Sequence, residues 1–473
     1  MNFKPYVKVI GEDQYQRIHD ASLKILSEVG FRFECEEALE IFKQHGARVE
    51  GKNVYMPSTM VEKALRTVPS KFKWLARNEQ NSIVLGEGYD VEPNVGCVYI
   101  QDLDNGRRAG KLEDYANVQK LHQSSTITTI VGANPIATCD IPADDQHLYM
   151  IYETVKNTDK PLIGLCVKKQ HVLESFKMIE LAMGKENILD DNVCIAVSVN
   201  PLSPLAYSVN TTESIIEYAR KRQVVMILPD IMAGITGPVS LFGTIVAQNA
   251  EILAGIVLTQ LVSPGAPVVA GPCSSTCNMK YANYISGTPD MMLIDVAGLQ
   301  MFHEFYHIPT RIMTGMTDSK AVDIQAGYET MENMVMGILS GAHIIHECLG
   351  VLDAIMTLSL EKFIIDEEML SRVFKIAEGI DVSDEAMSMD IIKEIGTSGS
   401  YITHQNTFDH FTELWRPTVS DWDPYAEWEG KGSPDILVKA NKMWKERLAN
   451  APEMLIDKEL DKALKAYIKS VRP

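Results

Sequence analysis

Eight short runs of β-branched and aliphatic residues recur along the middle of the chain. They are VGCVYI (95–100), ITTIVG (127–132), PLIGLC (161–166), VCIAVSV (193–199), VVMIL (224–228), PVVAG (267–271), TRIMTG (310–315) and AHIIHE (342–347). Each has strand length and is apolar enough for burial on both faces, as in a parallel sheet. Helically spaced stretches lie between them, among them TTESIIEYARKR, VAQNAEILAGIVLTQLV and TPDMMLIDVAGLQMFHEF. Most successive runs start about 30–45 residues apart, the size of one strand–helix unit. Eight units over about 260 residues predict an α/β fold, a closed (β/α)8 TIM barrel, for which about 250 residues is typical. A doubly wound open sheet is the alternative, but eight regular units favour closure.

The barrel accounts for residues 91–360. Residues 1–90 read as a helical and irregular segment. DQYQRIHDASLKILSEVGF stops at Gly30, EEALEIFKQHGARV stops at Gly46, and PSTMVEKALRTVP lies between two prolines. The following IVLGEGYDVEPNVG reads as turns. Residues 361–473 read as a helical extension. Its aromatic stretch ELWRPTVSDWDPYAEWEGKGSPD carries Trp415, Trp422 and Trp428, which are expected to pack on the barrel.

A net charge of −19, from 44 basic and 63 acidic residues, excludes a basic nucleic-acid surface. The opening MNFKPYVKVIGEDQYQRIHD has no apolar core, so no signal peptide is expected. No run approaches about 18 uninterrupted apolar residues, so no membrane span is expected. Cys97, Cys139, Cys166, Cys194 and Cys348 lie in or beside apolar runs. They read as reduced, buried thiols of a cytoplasmic protein.

HEFYH, from His303 to His307, spells the helical zinc-peptidase pattern. Its place argues otherwise. It ends a helix opened by Thr288-Pro289-Asp290 and stopped by Pro309, just before the seventh strand. That is the base of a barrel, where stability resides; chemistry sits where strands end. No metal is expected there.

The same rule nominates the mouth residues. Tyr99 and Gln101 end the first strand, Asn134 follows the second, and Cys166 and Lys168 end the third. Asn200 follows the fourth, with Asn210 and Glu213 capping the next helix. Asp230 and Met232 follow the fifth, and Cys273 the sixth, with Cys277 four residues on. Met313 lies at the seventh strand, which is followed by Met316, Thr317, Asp318 and Lys320; the eighth ends in His346-Glu347. Thr317-Asp318 also reads as a helix cap. Lys168 and Lys320 raise a Schiff-base lyase as an alternative, if they are desolvated. His343 and His346, three apart on a strand, face opposite sides and cannot share a metal.

NPLSPL, GPVSLFGTIVAQNAEILAG, TGMTDSKAVDIQAGYETM and SGAHIIHECLGVLD resemble the trimethylamine methyltransferase superfamily, and the resemblance spans nearly the whole chain. It implies a TIM barrel that passes a methyl group from an amine to the cobalt of a separate corrinoid protein. The founding branch carries pyrrolysine. This chain has only ordinary residues, so it resembles the pyrrolysine-free branch, which demethylates quaternary amines such as glycine betaine, proline betaine or carnitine. The resemblance implies a corrinoid-protein partner, no tightly bound cofactor and a homo-oligomer. A non-catalytic binder of betaine or corrinoid protein is a further alternative.

For such a substrate the candidate cation site is Tyr99, with Tyr207 and Phe242 as loop alternatives. Lys168, Lys320 and His346 are candidates for a substrate carboxylate. His346, Glu347 and Asp318 are the catalytic candidates. Asn200, Asp230, Met232, Cys273, Met316 and Thr317 are expected to line the mouth that admits the corrinoid.

Overall fold

A computed structural model describes residues 7–472; the first six residues of the opening stretch and Pro473 lie outside that range. Eight parallel strands form the barrel: β1 (Asp90–Glu92), β2 (Val131–Gly132), β3 (Leu162–Gly164), β4 (Ile195–Val199), β5 (Val224–Ile227), β6 (Val268–Ala270), β7 (Arg311–Met313) and β8 (Ile344–His346). β2 to β6 pair in chain order. β7, β8 and β1 form a second parallel run. An Ala270–Thr310 bridge joins the two runs on one side. On the other, the Thr129 and Ile130 amides each donate to the Val91 carbonyl at 3.0 Å. These contacts close the barrel.

The helices that follow the strands are α1 (Leu112–Ser124), α2 (Gln146–Asn157), α3 (Lys169–Met183), α4 (Val209–Arg220), α5 (Leu241–Val262), α6 (Pro289–Gln300), α7 (Ile324–Leu339) and α8 (Leu360–Glu378). α5 is long and apolar enough to cross a bilayer by composition, and most of it is buried in the protein. It is apolar all round because it is covered all round, by the helices Glu12–Lys24 and Ser58–Leu65, α4 and α6. Thr288 caps α6 as its sequence predicts, accepting from the Met291 amide at 3.2 Å. α4 and α7 are capped differently from expectation. Ser208, not Asn210, caps α4, and Asp323, not Thr317, caps α7.

Three sequence expectations need correction. VGCVYI is not the first barrel strand: β1 lies earlier, in the stretch read as turns. Its alternate residues Asp90 and Glu92 share the face that carries the inward-pointing His346 of the neighbouring strand. An apolar-run search therefore passes over it. Tyr99–Asp102 instead belongs to a lateral sheet with Gly106–Ala109, Thr357–Ser359 and Val351–Leu352. Second, the eighth barrel helix lies beyond residue 360, so the barrel reaches Glu378. Third, Cys139 and Cys166 are exposed, both in loops beyond strand ends, although all eight cysteines are free.

The base of the barrel is sealed by an antiparallel hairpin, Phe72–Trp74 with Ile83–Leu85. The Leu75 amide donates to Val193 ahead of β4 at 2.8 Å. Trp74 is fully buried in one cluster with the barrel-interior residues Ile163, Ala196, Met226, Val269 and Ile344. Trp74→Ala should therefore lower stability by about 3–5 kcal/mol, read as a drop in the urea midpoint. An unchanged midpoint would mean the base is sealed by something else.

Candidate functional site

Inside the barrel, β1, β8 and β7 stand in register, with Glu92 beside His346 and His346 beside Met313. Arg311 reaches the Glu92 carboxylate with two parallel bonds, Nε to Oε2 at 2.7 Å and Nη2 to Oε1 at 3.0 Å. Both residues are buried. His346 lies between two carboxyl groups: Nδ1 is 3.3 Å from Glu92 Oε2 and Nε2 is 2.9 Å from Glu347 Oε1. Glu347 Oε1 also accepts from the Val95 amide at 3.0 Å. The backbone at Glu347 is left-handed (φ 50°), a conformation that costs energy in a residue with a side chain.

The protonation states follow from the surroundings. Burial, helped by the Arg311 charge, holds the His346 imidazole well below its usual value. It is neutral at pH 7, with one ring proton. Burial drives the Glu347 carboxyl well above its usual range, against the pull of Arg311 and with the push of Glu92. His346 Nδ1 is buried without a hydrogen-bond partner, and the Nε2–Glu347 contact is the closer of the two. Arg311 and Glu92 form a hydrogen-bonded pair, with His346 and Glu347 packed beside it under the mouth.

Above it sits a group of acids. Asp230, just past β5 at the strand-end face of the barrel, is water-accessible although protein surrounds it. This crowding pushes its carboxyl up to about 6, opposed by the Asn200 amide, which donates to it at 2.5 Å, and by Arg311. Glu251 on α5 is buried and pushed up to about 7, though Ser203 Oγ and the Leu205 amide donate to it at 2.7 and 2.8 Å. Asp295 on α6 is fully buried beside the Ser274 amide, and its carboxyl is held well above the usual range by burial and then by Asp230. Tyr284 OH donates to the Cys273 carbonyl at 3.1 Å. Burial and then Asp230 also raise the Cys273 thiol, which donates to the Gly271 carbonyl at 3.2 Å.

The other nominated residues divide. Met316 and Thr317 are buried at the end of β7, and Thr317 donates to Glu329 at 2.6 Å. Asp318 accepts from the Ser286 amide at 3.2 Å, and burial raises its carboxyl. Met232 bridges to Ser275 beside the sixth-strand loop. The aromatic candidates are all engaged elsewhere. Arg107 lies 3.5 Å from the Tyr99 ring centroid and covers that face. Tyr207 is fully buried against Phe31 and Phe33, with its OH on the Glu251 carbonyl. Phe242 faces Arg17 of the amino-terminal helix at 5.4 Å. Neither lysine is desolvated: Lys168 pairs with Asp144 at 2.9 Å and Lys320 with Asp353 at 3.6 Å, both near the surface. This removes the support for a Schiff-base reading.

HEFYH lies at the base as its position implies, over a π-helical turn Met301–Phe305. Glu304 accepts from Lys8 at 2.7 Å and Tyr15 at 2.8 Å, docking the amino-terminal segment. His303 packs edge-on to His343. Among the described residues, the one cluster with metal-ligand proximity is His147, His171 and Glu174, on α2 and α3. A guanidinium already occupies it: Arg472 donates to Glu174 at 3.1 Å and lies 3.3 Å from His171 Nε2.

The family model for trimethylamine methyltransferase (MTTB) matches residues 1–472. The chain belongs to the trimethylamine methyltransferase family. It is 35% identical over 466 residues to the glycine betaine methyltransferase of Desulfitobacterium hafniense (strain Y51), covering 98% of this chain and 97% of the relative. It is 31% identical to the proline betaine:corrinoid methyltransferase of Eubacterium limosum, covering 95% and 94% of the two chains. The monomethylamine methyltransferase MtmB of Methanosarcina barkeri superposes with a TM-score of 0.53 at 12% identity, over 96% of this chain and 91% of that one. That likeness speaks for the shared barrel alone.

In this trimethylamine methyltransferase family member, strand-end placement missed Glu92, Arg311, Glu251 and Asp295, buried charged residues near Asp230 and His346. One signal was available: Arg311 is a charge inside an otherwise apolar strand, and such a charge needs a buried partner. Arg311→Met strips Glu92 of its partner and should cost about 3–5 kcal/mol, whereas Arg311→Met with Glu92→Leu should recover most of that. Urea unfolding of the two variants checks this. Equal losses in both would mean that the ion pair does not couple β1 to β7.

Proposed function

We propose that this chain transfers a methyl group from a quaternary ammonium compound to the cobalt of a separate corrinoid protein. One observation carries the reading: water-accessible Asp230 stands just past β5, with buried Glu251, Asp295 and Glu347 near enough for its charge to raise each of them. Carboxyl groups forced together in this way are each stabilised by a cation placed among them. A quaternary ammonium is such a cation, and it has no proton to lose. Betaine-demethylating relatives align over nearly the full length, and the chain has no pyrrolysine.

The reduced corrinoid supplies the nucleophile. The N–CH3 bond breaks with its electron pair staying on nitrogen, the methyl group bonds to cobalt, and a neutral tertiary amine leaves. No proton moves, so no general acid is required. The chain's work is to hold the cation, to aim one methyl group outward and to exclude competing nucleophiles. Asp230, fixed by Asn200, is the residue proposed to hold the ammonium. The Arg311–Glu92 pair fixes the floor below it. His346, with Nε2 2.9 Å from Glu347 Oε1, is a positioning residue.

The first test mixes the purified chain with a corrinoid protein in its cob(I)alamin state and glycine betaine, proline betaine, carnitine, γ-butyrobetaine or choline. Methylcobalamin should appear with at least one of them; its absence with all would sink the reading. A second test concerns pH. Asp230, raised to about 6, is charged above that pH and loses its charge as pH falls through it. KM for the amine should therefore rise below about pH 6, and Asp230→Asn should raise KM about ten- to hundredfold at pH 7.5 and flatten that limb. A pH-independent KM in the unaltered chain would place the cation elsewhere.

A further inference from the structure

The amino-terminal ends of α2 and α3 carry a polar cluster that the proposed methyl transfer leaves unused. His147 stands in the first turn of α2, and His171 and Glu174 stand three apart on one face of α3. All three are buried. His147 Nε2 is 2.7 Å from Glu174 Oε2, and the two imidazoles stack at 4.1 Å with their planes 12° apart. One donor atom from each residue lies within 4.8 Å of the other two. Asp144, in the loop ahead of α2, brings a fourth donor to 3.7 Å from His171 Nε2.

The cluster already holds a cation. Arg472, which follows the carboxy-terminal helix Lys458–Val471, donates from Nη2 to Glu174 at 3.1 Å and from Nε to Asp145 at 2.6 Å. The same Nη2 lies 3.3 Å from His171 Nε2 and donates to the Asp144 carbonyl at 3.0 Å. Two helix N-termini meet here, and their dipoles repel positive charge. Three carboxylates, Asp144, Asp145 and Glu174, outweigh that repulsion and draw in Lys168 and Arg472. Burial lowers both imidazoles, His147 to about 4, so both rings are neutral at pH 7 and each has a lone pair to give.

We propose that this cluster is a binding site for a divalent ion of the zinc class, which takes the place of the Arg472 guanidinium. His147, His171, Glu174 and Asp144, swung in from its exposed loop, are the four ligands. Two imidazoles and two carboxylates suit a four-coordinate zinc ion, whereas calcium and magnesium ask for oxygen alone. Bonds of about 2.0–2.2 Å hold four tetrahedral ligands about 3.3–3.6 Å apart. The separations of 2.7, 3.7 and at most 4.8 Å bracket that range, so small side-chain shifts close the site. Gln170 already donates to the other Glu174 oxygen at 2.9 Å and orients the carboxylate from behind. His147 Nε2 gives up its proton to Nδ1 when the ion binds. Nδ1 is buried without a partner, so it is unsatisfied with or without that proton, and the move costs little. The two carboxylate ligands balance the charge of the ion, and Arg472 is released. The ion thus ties α2 directly to α3 and frees the end of the carboxy-terminal helix that Arg472 pins there.

The test titrates Co2+, whose visible d–d absorption reports four-coordination, into the purified full-length chain with no corrinoid protein present. One equivalent should bind, and Zn2+ should displace it. Arg472→Ala should tighten binding about ten- to a hundredfold, because the charge-assisted bonds that the ion must break are gone. His171→Ala should abolish the spectrum. Zn2+ should speed amide exchange in the last turn of the carboxy-terminal helix. Absence of a stoichiometric spectrum from both the unaltered chain and Arg472→Ala would overturn the proposal. So would a spectrum that survives His171→Ala, or thiolate charge-transfer absorption, which would put the ion on a cysteine. Arg472 is partly exposed, so its variant keeps the test decisive should His171→Ala fail to fold. Binding to Arg472→Ala no tighter than to the unaltered chain would mean that the guanidinium does not hold the place of an ion.

Discussion

The two parallel bonds between Arg311 and Glu92 hold this barrel's interior together. They tie β7 to β1 across β8, where the end of the strand order meets its beginning. A buried ion pair of this kind adds little net stability, because desolvating two charges costs nearly as much as their attraction returns. What it supplies is register. A slip of one residue on either strand would turn one charge toward the helices and leave the other alone in the interior. The pair also sets the electrostatics above it. Burial, and then the Arg311 charge, lowers the His346 imidazole, and Arg311 opposes the upward shift of Glu347.

The mouth itself follows an opposite logic. Burial first, and then the charge of Asp230, raises the carboxyl groups of Glu251 and Asp295, while Arg311 opposes the upward shift of Asp230 itself. On the proposed function, a positive group bound beside Asp230 stabilises its charged form. The aromatic residues that composition offers are spent elsewhere: Tyr99 on Arg107, Phe242 on Arg17, and Tyr207 inside the wall.

Seven of the eight strands were legible in the sequence because they are apolar on both faces, which only a parallel sheet between helices requires. The eighth was not. β1 places Asp90 and Glu92 on its inward face, so its pattern is that of a polar turn until Arg311 is known to lie opposite. HEFYH could be set aside from its position alone, since a helix end before a barrel strand is at the base whatever its letters spell. The residues of the mouth were legible as positions, and Asp230 and His346 do stand where strand ends put them. Their partners were not, because Glu251 and Asp295 come from helix faces that point inward, and no linear spacing marks which face of a buried helix meets a cavity. The stretch 379–435 was legible as aromatic and acidic, but its packing was not: Trp415 lies under Arg372 of the last barrel helix, whereas Trp422 stays exposed.

The hairpin that carries Trp74 gives the barrel a closed bottom, and this has a kinetic meaning. A sealed base leaves a single door. On the proposed chemistry a small amine and a bulky carrier must both use it, and they cannot pass each other. The amine has to be seated first, the carrier then covers the opening, and the demethylated amine stays trapped until the carrier departs. Turnover in such a vessel is compulsorily ordered. Excess carrier, by blocking the entrance before the amine arrives, becomes an inhibitor of the reaction it takes part in.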